Sequence, residues 1–358
     1  MKNYKWNEDE INNYYQKLKS EYKQKKKELD AIKHDLELIK NIDKEPQSNL
    51  FLQNYFYNRN FFNKNDYLWK HFQKLETLTN IYSYFDPVLK KDKKSNDELL
   101  TISHDFYKEM FTKEYYKLFM SLYNNKQNII KFAKRKNDSM FHGFTYPFIT
   151  SNDVFIEVFK KDTIDDIFVL NHEFMHAIAF LMNNNVCNYG KSLYDEIHTI
   201  FAELLTKDYI NNDEAILANL LNYNSIVYHN QSVNSFINLI CYEKTTKKIK
   251  NRYQLLKYAE LLSLDYDLLK EFFITNAENN SLGYMYAVEL YNIYIKDKEK
   301  ALYILKKIIQ TNYSKEINHY KLLEKLGLRP NKHMKSYLDN MDKDILKIEK
   351  KQNKTLHL

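Results

Sequence analysis

The scarcity of glycine and proline most constrains what this chain can fold into. Its 358 residues include only four glycines and four prolines, against an average usage of roughly 7% and 5%. Sheet-rich folds need more of these turn-forming residues than the chain contains. The sequence therefore predicts a mainly α, multi-helical fold. Hydrophobic residues make up 44% of the chain, which is enough for the core of one large domain or two modest ones.

A long amphipathic helix is predicted near the N-terminus. Between residues 8 and 40, apolar residues recur at alternating spacings of three and four among charged residues: Leu29, Ile32, Leu36 and Ile39. This is the periodicity of a helix with one apolar face. A packed face and a solvated face explain the pattern without any functional role.

The rest of the N-terminal region also carries helical signals. Ser95 and Glu98 have the spacing of a capping box, which predicts a helix start. Residues 98–135 show helical periodicity. We expect a helical N-terminal lobe over residues 1–125 and a second, catalytic domain over residues 126–358, divided near the polar stretch YNNKQN.

Strand signals cluster in the stretch FHGFTYPFITSNDVFIEVFKK. Gly143 and Pro147 punctuate it, and VFIEVF is short, branched and aromatic, as strands are. A small β-sheet is therefore predicted directly before the segment that carries the histidines described below. Nearly everything after that segment reads as helical.

Composition also bears on partners and location. The net charge is +7, but the lysines are spread among glutamates and form no basic stripe of the kind that binds nucleic acid. No stretch approaches the roughly 18 apolar residues of a membrane span, and the N-terminus has no apolar signal core. Cys187 and Cys241 are the only cysteines, so no disulfide framework is indicated. We expect a cytoplasmic protein with no nucleic-acid or membrane partner; its oligomeric state is left open.

The segment FVLNHEFMHAIAF sets three polar residues into an apolar run. His172, Glu173 and His176 form the pattern H-E-x-x-H. Helical residues four apart lie on one face, so both imidazoles can reach one Zn2+ while Glu173 reaches a water at that metal. Burying three polar groups without partners would cost about 1–3 kcal/mol each. The setting therefore favours a site for one zinc ion per chain over a chance match.

A zinc site needs a third protein ligand and leaves a fourth position for water. Ser192 and Asp195 have capping-box spacing for a helix that follows the Asn-rich MNNNVCNYG. On that helix Glu196 and Glu203 are seven residues apart and share a face. We predict Glu196 as third ligand and Glu203 as the carboxylate that fixes a ligand histidine. Asp195, Glu203 and His198 remain alternatives for the third ligand, although His198 lies off that face.

Three stretches carry a family resemblance: DTIDDIFVLNHEFMHAIAF, YDEIHTIFAELL and SLGYMYAVELYNIY. They resemble, in that order, the H-E-x-G-H helix, the third-ligand segment and the late tyrosine motif of the zinc peptidases typified by thimet oligopeptidase and oligoendopeptidase F. The stretch FHGFTYPFITSNDVFIEVF is similar to the strand pair along which family members lay the substrate backbone. The resemblance covers about residues 134–330.

The resemblance implies a zincin-type metallopeptidase with a shortened N-terminal half. Its activity would be hydrolysis of peptide bonds in short peptides, with Glu173 taking a proton from water and returning it to the leaving amine. A tyrosine would donate to the oxyanion, and Tyr286 is the first choice and Tyr284 the second.

The chain also departs from the family pattern. Met175 stands where the family usually has glycine, and the gap between His176 and Glu196 is a few residues shorter than usual. The stretch NAENNS occupies the places where the family has a His-x-Tyr pair before Tyr284. Compared with family members the sequence is shorter, and the resemblance implies that the difference is N-terminal, where family members build a lid.

Three further residues are candidates for substrate binding. His142 and His229 are lone histidines, which are more often structural than functional. Gly143 can let a peptide backbone approach closely, because it has no side chain.

Two other classes of function compete with an active peptidase. A catalytically weak peptide-binding or peptide-maturation factor would fit the short N-terminal half. A helical interaction protein with a chance H-E-x-x-H would fit the long N-terminal helix. Zinc content separates the last class from the others, and peptide cleavage separates the first two.

Overall fold

The computed structural model describes residues 8–41, 59, 62–63, 66–82, 84–134, 142–151, 153–183, 195–245, 250, 252–264, 277–311 and 319–355. The N-terminal helices are α1 Glu8–Asn41, α2 Trp69–Ile81, which follows a 3-10 turn at Asp66–Leu68, α3 Asn96–Met110, α4 Lys113–Tyr123 and α5 Lys126–Ile129. The strands are β1 Ile130–Lys134, β2 Gly143–Phe148 and β3 Asp153–Lys160. The later helices are α6 Asp165–Met182, α7 Ile197–Ile210, α8 Asp213–Thr245, α9 Arg252–Leu261, α10 Ala277–Tyr294, α11 Lys298–Ile309, α12 His319–Lys325 and α13 Met334–Thr355.

The predicted mainly α fold with one small sheet is confirmed. The sheet has the strand order β1-β3-β2, in which β1 runs parallel and β2 antiparallel to β3. β2 and β3 both pack against α6, so the sheet lies directly beside the helix that carries the two histidines. The predicted capping box is present, because the Ser95 hydroxyl accepts from Glu98 N at 3.2 Å and Glu98 Oε2 accepts from Ser95 N at 2.7 Å.

Strand β1 corrects the prediction that residues 98–135 are helical throughout. The helices end at Ile129, and residues 130–134 pair with β3 instead. The backbone of this short apolar segment finds its hydrogen-bond partners across the sheet, and such tertiary pairing overrides local helical preference. The predicted boundary at residue 125 lies just before this strand, and the division into two domains stays a prediction.

Helix α6 forms the centre of the core around the site. It packs against the sheet, against α3 and α4, and against α7, which in turn packs against α10. Phe174, Met175 and Ile178 are fully buried. The helix begins with Asp165 and Asp166, whose negative charges are favourable near a helix N-terminus. None of the described helices is long and apolar enough to cross a membrane.

Helix α7 begins later than predicted. The expected cap, Ser192, lies outside the described residues, as does Cys187. The first helical residue is Ile197, and Asp195 and Glu196 form a turn before it. Glu196 nevertheless has right-handed helical dihedral angles (φ −92°, ψ −5°), so its backbone extends the path of α7 by one residue.

Candidate metal centre

Three side chains, two from α6 and one from the turn before α7, converge at the N-terminal end of α7. His172 and His176 lie one turn apart on α6, and Glu196 precedes α7. Glu196 Oε2 is 3.4 Å from His172 Nε2 and 3.6 Å from His176 Nε2. One ligand atom from each of the three lies within 4.8 Å of the others. The geometry places two imidazole nitrogens and one carboxylate oxygen around a common point.

Glu196 is held in place from two sides. The Thr199 hydroxyl, three residues on, donates to Glu196 Oε2 at 2.9 Å and to its carbonyl oxygen at 3.1 Å. Gly283 of α10 lies against Glu196, and a Cβ at residue 283 would be only 2.7 Å from Glu196 Cβ. Since that contact is shorter than van der Waals distance, only glycine lets α10 pack this closely against Glu196.

His172 is oriented by a second carboxylate. Its Nδ1 donates to Glu203 Oε1 at 2.7 Å, while Glu203 Oε2 accepts from Asn222 Nδ2 at 3.3 Å. A carboxylate on Nδ1 fixes the imidazole with Nε2 directed toward Glu196. This is the arrangement predicted for Glu203, and it leaves that residue outside the group of converging ligand atoms.

The side chain of Glu173, on α6, contacts strand β2. The Thr145 hydroxyl is 2.7 Å from Glu173 Oε2 and 2.9 Å from the Glu173 carbonyl oxygen. Gly143, on the same face of β2, lies so close that a Cβ there would be 2.9 Å from Glu173 Cγ and Oε1. The glycine therefore makes room for the Glu173 carboxylate, in addition to any role toward a peptide backbone.

Replacing Gly143 with alanine should displace the Glu173 carboxylate. The new methyl group cannot retreat, because the Glu157 carbonyl oxygen is also only 3.0 Å away. For the peptide cleavage that the family resemblance implies, we expect kcat to fall roughly tenfold to hundredfold, as for a misplaced catalytic group, with the content of any bound metal unchanged. Steady-state kinetics and metal analysis on the same preparation check this. A wild-type kcat in the alanine variant would show that the position of the Glu173 carboxylate does not require a glycine at residue 143.

Burial and neighbouring charges set the protonation of the metal-free site. Burial raises the pKa of the Glu173 carboxyl to about 7. Burial lowers the pKa of His172, but its hydrogen bond to Glu203 and the nearby carboxylates outweigh this and raise that pKa to about 9. Burial holds the pKa of His176 well below its usual range. His176 is thus neutral at physiological pH, whereas His172 carries a proton that a metal ion binding there would have to displace.

The alternative third ligands are arranged differently. His198 is buried, and its ring packs edge-on against His176 with ring centroids 5.2 Å apart. Burial, aided by the charge of His172, lowers the pKa of His198 to about 3. Neither Asp195 nor His198 belongs to the group of converging ligand atoms found among the described residues.

The two candidate tyrosines both lie buried on α10. Tyr284 packs against Tyr223 and Tyr337, with ring centroids 6.1 and 6.2 Å apart. Tyr286 lies two residues further along α10 and is fully buried. The catalytic role of either tyrosine, and the preference for Tyr286, stay predictions.

The candidate substrate histidines are not members of the group of converging ligand atoms found among the described residues. His142 precedes β2, and its Nδ1 is 3.6 Å from Asp165 Oδ2 at the start of α6. His229 lies in the middle of α8. Substrate binding by either residue, and by Gly143, stays a prediction.

Sequence reasoning missed the residues that support the site. Thr145 holds Glu173, Thr199 holds Glu196, and Asn222 holds Glu203. Thr199 could have been found from its spacing, since a hydroxyl three residues after a turn residue commonly bonds back to it. Gly283 had a signal too, as one of four glycines in the chain and one inside a predicted helix. Thr145 and Asn222 carry no signal that spacing alone reveals.

Comparison with known proteins gives matches in structure only. No protein-family model matches the chain, and no curated protein matches it significantly. Among solved structures, a "putative oligoendopeptidase F" from Bacillus anthracis str. Ames superposes with a TM-score of 0.50 and 15% identity, covering 83% of this chain and 55% of that one. A "putative peptidase" from Chlamydophila abortus gives a TM-score of 0.52 and 12% identity, with the same 83% and 55% coverage.

At such low identity the likeness concerns the fold. The chain spans about 55% of the length of these two solved chains. The comparison agrees with the oligoendopeptidase F part of the predicted resemblance, while the likeness to thimet oligopeptidase and the reduced N-terminal lobe stay predictions. The protein therefore has the multi-helical fold with a small sheet found in two proteins that are both described as peptidases.

Proposed function

We propose that this protein is a zinc-dependent metallopeptidase that hydrolyses peptide bonds in short peptides. The observation that carries the proposal is the convergence of His172, His176 and Glu196 within 4.8 Å, with Glu173 beside them. In support of the proposal, these groups come from α6 and from the turn before α7, and they lie close together although the four residues span 25 positions of sequence. If the H-E-x-x-H pattern had arisen by chance, we would not expect a third side chain able to bind a metal to lie beside its two histidines.

The donor set fits zinc. Catalytic zinc sites use three protein ligands of the nitrogen and oxygen type and keep a fourth position open. Two histidines with one carboxylate also suit non-haem iron. The adjacent acid Glu173 and the carboxylate of Glu203 on the far side of His172 favour zinc hydrolysis, because a hydrolase needs a base next to the metal and a firmly oriented imidazole.

The chain's own residues supply the proton transfers. When bound, zinc would polarise the scissile carbonyl and make a water more acidic. Glu173 would accept the proton of that water on its carboxylate and pass it to the leaving amine. The Thr145 hydroxyl at 2.7 Å keeps Glu173 Oε2 in one orientation. Without a metal, burial raises the pKa of Glu173 to about 7; a bound cation would lower that pKa and keep the carboxylate ionised, as a base requires.

The neighbouring strand offers a place for the substrate backbone. β2 is an edge strand of the described sheet and carries Gly143 and Thr145 next to Glu173. An extended peptide can add to such an edge through main-chain hydrogen bonds. Binding through the backbone would accept many sequences, which agrees with short, unstructured peptides as substrates. Tyr286 is the proposed donor to the oxyanion.

Metal removal tests the proposal. Wild-type protein should cleave members of a quenched fluorescent peptide library, lose that activity after dialysis against a chelator, and regain it with one equivalent of Zn2+ per chain. The dialysed protein should also melt at a lower temperature, because a metal that binds only the folded chain stabilises it. A zinc-loaded protein that binds peptides but cleaves none would contradict the proposal and favour a peptide-binding or maturation factor.

A further inference from the structure

Helix α1 carries an exposed apolar stripe that the proposed chemistry does not use. The stripe consists of Tyr15, Leu18, Tyr22, Leu29, Ile32 and Leu36, each between 45% and 68% exposed. Soluble proteins rarely leave so many large apolar side chains exposed in one contiguous row. The stripe therefore indicates a contact with another surface.

The spacing of the stripe is that of a coiled coil. With Lys25 included, its members follow one another at strictly alternating intervals of three and four residues from Tyr15 to Leu36. The mean interval of 3.5 residues is the heptad repeat, in which positions a and d form the seam between two helices. Position a holds Tyr15, Tyr22, Leu29 and Leu36; position d holds Leu18, Lys25 and Ile32.

In the described structure, the side chains of this seam are exposed to solvent. All side chains from Tyr15 to Asp30 are exposed. The helix is attached near its C-terminal end, where His34 Nε2 is 3.3 Å from Pro147 O and the buried Asp35 accepts from Ile149 N and Thr150 N. His34 is at position f, on the side of the helix opposite the seam, and Asp35 is at position g, beside the seam. Helix α1 therefore contacts the rest of the molecule through positions f and g, and about three heptads of its seam extend into solvent.

The charges beside the seam select the partner. Position g, on one flank, holds Glu21 and Glu28, and position e, on the other, holds Lys19, Lys26 and Lys33. In a parallel pair of α1 helices, Glu21 faces Lys26 of a second copy, and Glu28 faces Lys33 of that copy. An antiparallel pair would instead bring glutamate against glutamate and lysine against lysine.

We propose that two copies of this chain associate through α1 as a parallel, two-stranded coiled coil. The acidic and basic flanks make the surface complementary to itself in that orientation, and they require no other protein. Lys25 within the seam favours two strands over more, because a polar seam residue restricts the oligomeric state and its long side chain can still reach water at the open edge of a dimer.

Two charge-reversal variants test this proposal. The lysine variant carries Glu21→Lys and Glu28→Lys, and the glutamate variant carries Lys19→Glu, Lys26→Glu and Lys33→Glu. Sedimentation and light scattering should give the mass of a dimer for the wild-type chain at micromolar concentration. Each variant alone should be monomeric, with a dimer dissociation constant raised roughly 10²- to 10³-fold because attractive pairs become repulsive. An equimolar mixture of the two should again form dimers.

A matched control separates the seam from the net charge. Lys17→Glu, Lys23→Glu and Lys27→Glu together make the same change in charge as the glutamate variant, but at outer positions of the helix, and this chain should remain a dimer. In Leu18→Cys protein, oxidation should link the two copies at the same position, which only the parallel orientation permits. A monomeric wild-type chain, a trimer or tetramer, or a mixture that stays monomeric would overturn the proposal.

Discussion

Replacing Glu173 with glutamine should lower kcat by roughly 10²- to 10⁴-fold, the usual contribution of a catalytic acid or base. Glutamine has the same shape and its amide oxygen can still accept from Thr145, whose hydroxyl is 2.7 Å from Glu173 Oε2. It cannot take a proton. Zinc content and melting temperature should therefore stay close to wild type while turnover is lost, as measured by steady-state cleavage of a fluorescent peptide.

A buried glutamate elsewhere provides the control for this change. Glu243 of α8 is buried and paired with Arg59 at 2.9 Å, and it belongs to none of the groups around His172. Glu243→Gln should retain kcat within about twofold, because distant changes act independently of the site. Equal turnover in Glu173→Gln and wild type would show that some other residue is the base.

Replacing Glu196 with glutamine should remove zinc from the protein. Loss of a carboxylate that merely orients a ligand histidine costs about 10- to 100-fold in metal affinity, so loss of a direct ligand should cost more than 100-fold. Activity should disappear with the metal. Competition with a chelator of known affinity measures the change in zinc affinity directly.

Variants of two nearby acidic residues, Glu203 and Asp195, test whether Glu196 is the third zinc ligand. Glu203→Gln should weaken zinc binding by about 10- to 100-fold, since Glu203 only holds His172 through its Nδ1. Asp195→Asn should leave zinc affinity unchanged. If Asp195→Asn loses the metal and Glu196→Gln keeps it, the third ligand has been assigned to the wrong residue.

Periodicity and motif spacing were sufficient to predict much of this protein. The mainly helical fold follows from the lack of turn residues, and the small sheet from the branched and aromatic stretch before the motif. Helical geometry predicts that His172 and His176 lie on one face of their helix. The seven-residue interval predicts the same for Glu196 and Glu203. These features depend on the types and spacing of residues close together in the chain, which can be read directly from the sequence.

The features that sequence missed depend on contacts between distant segments. β1 was predicted as helix because its preference is weak and its pairing partner, β3, lies more than twenty residues away. The hydroxyl of Thr145 reaches Glu173 across 28 positions. Gly283 is conspicuous as a glycine inside a predicted helix, but nothing in the sequence identifies Glu196 as the residue that it contacts. Met175, which departs from the family pattern, is simply buried in the core.

The position of the metal tests the account most directly. X-ray diffraction at the zinc absorption edge, from crystals grown with Zn2+, should show one strong anomalous peak per chain. That peak should lie about 2.0–2.2 Å from His172 Nε2, His176 Nε2 and one oxygen of Glu196. A peak bound by other residues, or no peak in fully zinc-supplemented crystals, would contradict the claim that these three side chains form a zinc site.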